Sequence, residues 1–150
     1  VTDETLKKKI DVIRKSISTN TPDSNDPIDV LSKVGGFEIG GMAGLILGAA
    51  ASRKAIVVDG LISGAAAIIA LKLDPGVSDY VFASHQSLEP GHELFFELYN
   101  QPPLFDFQMR LGEGTGAALG ISILESSVKI FNEMATFESA RVSDKKMTPT

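Results

Sequence analysis

Two short runs govern what this chain can fold into: KAIVVDG at residues 54–60 and DYVFAS at 79–84. Both are apolar and partly β-branched, and the first ends on Asp-Gly, the form of a buried parallel strand whose carboxyl end meets a turn. The residues between them, 61–73, read as a helix closed by Asp74-Pro75-Gly76. Strand, helix and strand in that order make the unit of a parallel sheet.

The rest of the chain supplies helices around that unit. Residues 4–18 are predicted to form an amphipathic helix, with Leu6, Ile10, Ile13 and Ile17 on one stripe. STNTPDSND is a polar loop, and Asp26-Pro27 then offers an N-cap followed by proline at the first helical position, starting a short helix to Val34. Gly35-Gly36 ends it before a small-residue helix from about Phe37 to Ser52. HQSLEPG is a loop and HELFFELYN a helix, on which His92 is expected to face solvent. LFDFQMRL reads as a third strand or extended segment, and a helix runs from Gly114 to about Met134. A polar tail, 136–150, ends the chain. The fold class expected is α/β, a three-layer α/β/α arrangement with a parallel Rossmann-like sheet, and all 150 residues are expected to belong to one domain.

Charge narrows the function. A net charge of −5 leaves no basic stripe to displace counterions, which argues against a nucleic-acid or anionic-membrane partner. No cysteine is present, so neither disulfides nor thiolate chemistry is available, a pattern that suits a cytoplasmic protein. No charged segment leads into an apolar core near the start, so no signal peptide is expected. Glu38 interrupts the apolar stretch 36–51, and Asp59-Gly60 interrupts 55–73, leaving each short of the roughly 20 residues that a membrane span requires.

In open parallel sheets, ligands gather outside the carboxyl ends of the strands. That rule selects Asp59-Gly60, the loop Ser84-His85-Gln86-Ser87, and the turn Gly112-Glu113-Gly114-Thr115-Gly116. Singly, Asp59 is more simply a helix N-cap and Ser87 a turn hydroxyl. GEGTGA satisfies a dinucleotide fingerprint, G-x-G-x-x-G/A, but the acid such a motif wants at the end of a following strand is missing, because Glu133 lies inside the helix itself. Glu113 could instead be a solvated acid near a helix N-terminus, a placement that contributes about 0.3–1 kcal/mol. Glycine on both sides of it also permits close approach of a ligand to the backbone. His85 and His92 have no accompanying HExxH or carboxylate spacing, so no metal and no cofactor is indicated.

The segments VGGFEIGGMAGLILGAAASRKAIVVDGLISGAAA, SHQSLEPGH, RLGEGTGAAL and NEMATFESARVS closely resemble, in order, the C-terminal part of the nicotinate-nucleotide:dimethylbenzimidazole phosphoribosyltransferase family. The resemblance runs from about residue 4 to about residue 144. It implies transfer of phosphoribose from nicotinate mononucleotide to 5,6-dimethylbenzimidazole, giving α-ribazole 5′-phosphate and nicotinate for the lower ligand of cobalamin. It also implies Glu113 as catalytic base, Lys9 as a phosphate-binding lysine, Gly60 and Ser87 as nucleotide contacts, and Leu111 near the base pocket. Asp59 and Gly112, beside these, complete the expected substrate-binding set. The family forms homodimers and its chains are considerably longer, with a further glycine-rich segment upstream, so the segment alone is expected to be inactive. Two other readings differ in class: a module that binds a nucleotide or azole without turning it over, and an interaction domain that packs its glycine-rich helix on a partner.

Overall fold

The structure is a computed structural model that describes residues 2–109 and 113–141. It divides into two units, residues 1–120 and 121–150.

In the first unit, helices α1 (Asp3–Asn20), α2 (Pro27–Val34) and α3 (Phe37–Ala51) precede strand β1 (Ile56–Val58). Helix α4 (Leu61–Leu73) and a 3₁₀ turn (Pro75–Tyr80) lead to strand β2 (Val81–Ala83), and α5 (Glu93–Tyr99) follows. The last helix, α6 (Thr115–Glu133), begins in this unit. β1 and β2 pair in parallel, with Ile56 opposite Val81 and Val58 opposite Ala83, as the strand–helix–strand pattern requires. Both are shorter than the apolar runs that announce them. Asp74 accepts a hydrogen bond from the Gly76 amide at 2.9 Å and starts the 3₁₀ turn, which takes Asp79 and Tyr80 out of the second strand.

Among the described residues, the expected third strand is reduced to one parallel bridge between His85 and Phe105. The Leu104 amide donates to the Ala83 carbonyl at 2.9 Å and the Phe105 amide to the Ser84 carbonyl at 3.1 Å. Pro102-Pro103, just upstream, has no amide hydrogens to extend that pairing.

Packing on one side of the sheet depends on alanine. Ala66, Ala67 and Ala70 of α4 are wholly buried against Ala43, Ile46 and Ala50 of α3 and Val58, Val81 and Ala83 of the strands. Such small side chains let the two helix axes approach closely. On the other side of the sheet lies the start of α6. A Cβ on Gly120 would stand 2.9 Å from Val57 Cγ1 and 3.2 Å from Ser84 Cβ, so only glycine admits this helix so near the strands. A parallel sheet with helices packed on it is the α/β class the sequence implied.

Helix α2 starts as its sequence foretells, with Asp26 Oδ1 accepting from the amides of Ile28 at 2.9 Å and Asp29 at 3.1 Å. Helix α1 buries none of its residues, and its stripe of Leu6, Ile10, Ile13 and Ile17 is exposed within this chain. In the second unit, the hydroxyls of Ser126 and Ser127 donate to carbonyls one turn back at 2.8 Å, and Thr136 and Ser139 close a small turn on each other. Much of the polar tail, 142–150, lies outside the described residues. No described helix is long and apolar enough to cross a membrane.

Candidate active site

The carboxyl ends of β1 and β2 open into a cleft of about 260 Å³. Its lining includes Asp59, Gly60, Ser63, His85, Ser87 and Glu113, so the structure brings together three stretches of chain that lie far apart in sequence. Leu111 and Gly112 lie outside the described residues. Lys9 is on α1, exposed, and does not line the cleft. Its neighbour Lys8 pairs with Glu4 at 2.7 Å.

The loop after β1 is held from both sides. Ser63, at the third position of α4, accepts hydrogen bonds from the amides of Asp59 at 3.1 Å and Gly60 at 3.0 Å. That serine caps the helix from within. Asp59 is thereby freed from capping α4, the simple role its sequence position suggested. Its carboxylate turns to the start of α6, where Oδ2 accepts from the Gly114 amide at 3.1 Å and Oδ1 from the Ala117 amide at 2.9 Å.

Beneath that carboxylate lies a buried polar row. The Ser84 hydroxyl donates to the Val58 carbonyl at 2.8 Å, which commits its only proton. His85 Nδ1, 3.2 Å from Ser84 Oγ, must then be the donor in that contact, placing the imidazole proton on Nδ1. The same nitrogen is 3.8 Å from Asp59 Oδ1. The His85 ring, only 2% exposed, stacks on Phe105 with ring centroids 6.2 Å apart.

His92 does not face solvent. It is 1% exposed, lying against Gly64, stacked on Phe95 and edge-on to Phe96. The reason is spacing: His92, Phe95, Phe96 and Tyr99 stand at i, i+3, i+4 and i+7, a single stripe turned to the core. Its Nδ1 accepts from the Ser87 amide at 2.9 Å, so the proton sits on Nε2, which is buried and finds no hydrogen-bond partner among the described residues. Burial first, and the neighbouring His85 second, hold the His92 pKa below the usual imidazole value. His92 thus fixes the loop that carries Ser87, and Ser87 Oγ in turn accepts from the Glu89 amide at 3.2 Å.

Glu113 sits at the rim, exposed, with φ of 56°, a left-handed conformation that costs a non-glycine residue about 1–2 kcal/mol. Gly114 follows at φ 87° and is suited to it. Strain of this kind at a cleft is found where a side chain must be aimed. The cleft is lined by an exposed carboxylate, Glu113, together with Gly60, Ser63 and Ser87, groups suited to acid–base chemistry on a ligand held largely by polar contacts.

A family model described as "Phosphoribosyltransferase" matches residues 1–142. The chain belongs to that phosphoribosyltransferase family. Among its relatives are proteins named nicotinate-nucleotide–dimethylbenzimidazole phosphoribosyltransferase. That of Dehalococcoides mccartyi is 57% identical over 144 residues, covering 96% of this chain and 41% of the relative. That of Desulforamulus reducens is 55% identical over 143 residues, covering 95% and 41%. A crystal structure of CobT from Thermus thermophilus superposes with a TM-score of 0.87 at 37% identity, over 95% of this chain and 42% of that one. The chain therefore spans about 41% of the length of the curated relatives it matches.

Proposed function

We propose that this chain is the C-terminal part of an enzyme that moves phosphoribose from nicotinate mononucleotide to 5,6-dimethylbenzimidazole, with Glu113 as the base. The observation that carries the proposal is Glu113 itself, held left-handed at the mouth of the cleft that Gly60, Ser63 and Ser87 line. One ring nitrogen of the benzimidazole attacks the anomeric carbon, and the bond to nicotinate breaks with its electron pair returning to the pyridinium nitrogen. Nicotinate leaves readily because that nitrogen is positively charged while bonded and neutral once free. The attacking ring must shed the proton on its other nitrogen, and a carboxylate within reach accepts it. Leu111 and Gly112 precede Glu113 directly and would contact the same base. Gly60 and Ser87 would contact the phosphoribose, and Lys9 its phosphate.

Lys9 stands outside the cleft's lining, and the apolar stripe of α1 is exposed in this chain, so the reading includes covering surface from the rest of the enzyme or from a second copy in a homodimer. The reading places the enzyme in the cytoplasm, with which the absence of cysteine from these 150 residues agrees. The test is Glu113→Gln in the full-length protein, which keeps shape and hydrogen bonding but removes the proton acceptor. Turnover should fall by about 10²- to 10⁴-fold with little change in KM. Near-normal kcat in E113Q would remove the carboxylate from the reaction and favour a module that binds without catalysis.

A further inference from the structure

Glu113 stands on a turn, and something must hold that turn at the mouth of the cleft. Among the described residues the last bridge before Glu113 is the one at Phe105, and α6 begins only at Thr115. The first amides of a helix have no intrahelical partner. Two of them, on Gly114 and Ala117, are taken by one carboxylate reaching from the end of β1, that of Asp59.

We infer that Asp59 is a positioning residue for Glu113, its carboxylate bridging the Gly114 and Ala117 amides and so fixing the peptide plane that follows the catalytic side chain. Four features support this. Each oxygen of Asp59 is engaged by a different amide, and charge-assisted bonds of this kind are the stronger class. The side chain is only 15% exposed, and among the described residues no lysine or arginine pairs with it, so the helix start is what offsets its charge. The Nδ1–H of His85 approaches Oδ1 at 3.8 Å, and Gly116 leaves room for the carboxylate, since a Cβ there would lie 2.7 Å from Oδ1. Finally, the amide of Asp59 is itself tied to Ser63, so the anchor is rigid at its own backbone.

The inference rests on the reading of Glu113 as the base, and the experiment keeps the two apart. In the full-length protein, Asp59→Asn retains the shape of the side chain but presents an amino group to one of the two amides. kcat should fall by about 10- to 100-fold, the loss expected when a reacting group shifts by about 1 Å. The Kd for nicotinate mononucleotide by calorimetry should stay within about twofold. Hydrogen exchange at Gly114 and Ala117 should quicken, and D59N placed on an E113Q background should cost nothing further, because no base remains to be aimed. A tenfold weaker Kd with unchanged exchange would make Asp59 a substrate contact and overturn the proposal, as would full additivity with E113Q. If D59N does not fold, the same readings are made on Asp59→Glu, whose carboxylate is one methylene too far out; full kcat in D59E overturns the proposal. Should E113Q turn over normally, the reading of the base fails by itself, and exchange at Gly114 and Ala117 still reports whether Asp59 holds the turn.

Discussion

Replacing Gly116 by alanine puts a methyl group where there is no space for one. Its Cβ would lie 2.0 Å from His85 Nδ1, 2.6 Å from His85 Cε1 and 2.7 Å from Asp59 Oδ1. Ordinary contact is about 3.5–4.0 Å, so either the start of α6 or the His85 ring must move by more than 1 Å. The ring cannot swing away cheaply, being buried and hydrogen-bonded to Ser84 and stacked on Phe105. Overpacking of this kind costs about 1–3 kcal/mol, and the better helix propensity of alanine returns about 1 kcal/mol. The net loss of up to about 2 kcal/mol should lower Tm by several degrees, at about 2–4 °C per kcal/mol for a chain of this size. The larger effect is on rate, because Glu113 is three residues away on the same turn and a displacement of about 1 Å costs roughly 10²-fold. Gly44→Ala is the control: on α3 nothing lies within 4 Å of the added Cβ, so stability of the 150-residue chain should rise by about 0.5–1 kcal/mol. Thermal melts of both variants, with steady-state kinetics of the full-length G116A enzyme, decide the matter. A G116A protein with wild-type Tm and kcat would show that this contact does not constrain the turn.

Three further outcomes are expected. Lys9→Ala should weaken nicotinate mononucleotide binding by about 1.5–3 kcal/mol, the value of a hydrogen bond to a charged group, while Lys7→Ala should do little; equal effects in titration calorimetry would reduce the assignment to general electrostatics. Because His92 has a depressed pKa in the fold, it binds its proton more readily when unfolded. Its contribution is thus intact above about pH 6.5 and is lost as pH falls through the lower folded value, and His92→Asn, which retains an acceptor for the Ser87 amide, should flatten that acid limb in denaturant titrations at stepped pH. The 150-residue chain by itself should self-associate through exposed apolar faces such as that of α1 and show no phosphoribosyl transfer; a monodisperse monomer in sedimentation, or product formed by the segment alone, would contradict this.

What could be read in the sequence was what is decided locally. The start of α2 at Asp26-Pro27, its end before Gly35-Gly36 and the span of α4 follow from caps and breakers a few residues away, and the structure has them where those signals stand. The strands were overestimated because an apolar run does not reveal where a 3₁₀ turn hands over to a strand, as it does before Val81. His92 is buried although it is polar, because its spacing with Phe95, Phe96 and Tyr99, visible in HELFFELY, turns it to the core. The grouping of Asp59, Ser87 and Glu113 could be anticipated from the topology of a parallel sheet. The bonds from Asp59 to Gly114 and Ala117 could not, because they join residues 55 and 58 apart and leave no periodic trace.

That separation has a kinetic consequence. The two bonds that Asp59 accepts close long loops, of 55 and 58 residues, and closure entropy must be overcome before they contribute. The αβ unit of α4 and its flanking strands can collapse on its own contacts, whereas the start of α6 gains its anchor only once β1 is already in place. The cleft should therefore assemble late in folding, and substitutions at Asp59 should act mainly by accelerating unfolding, with φ-values near zero and a folding arm of the chevron that barely moves.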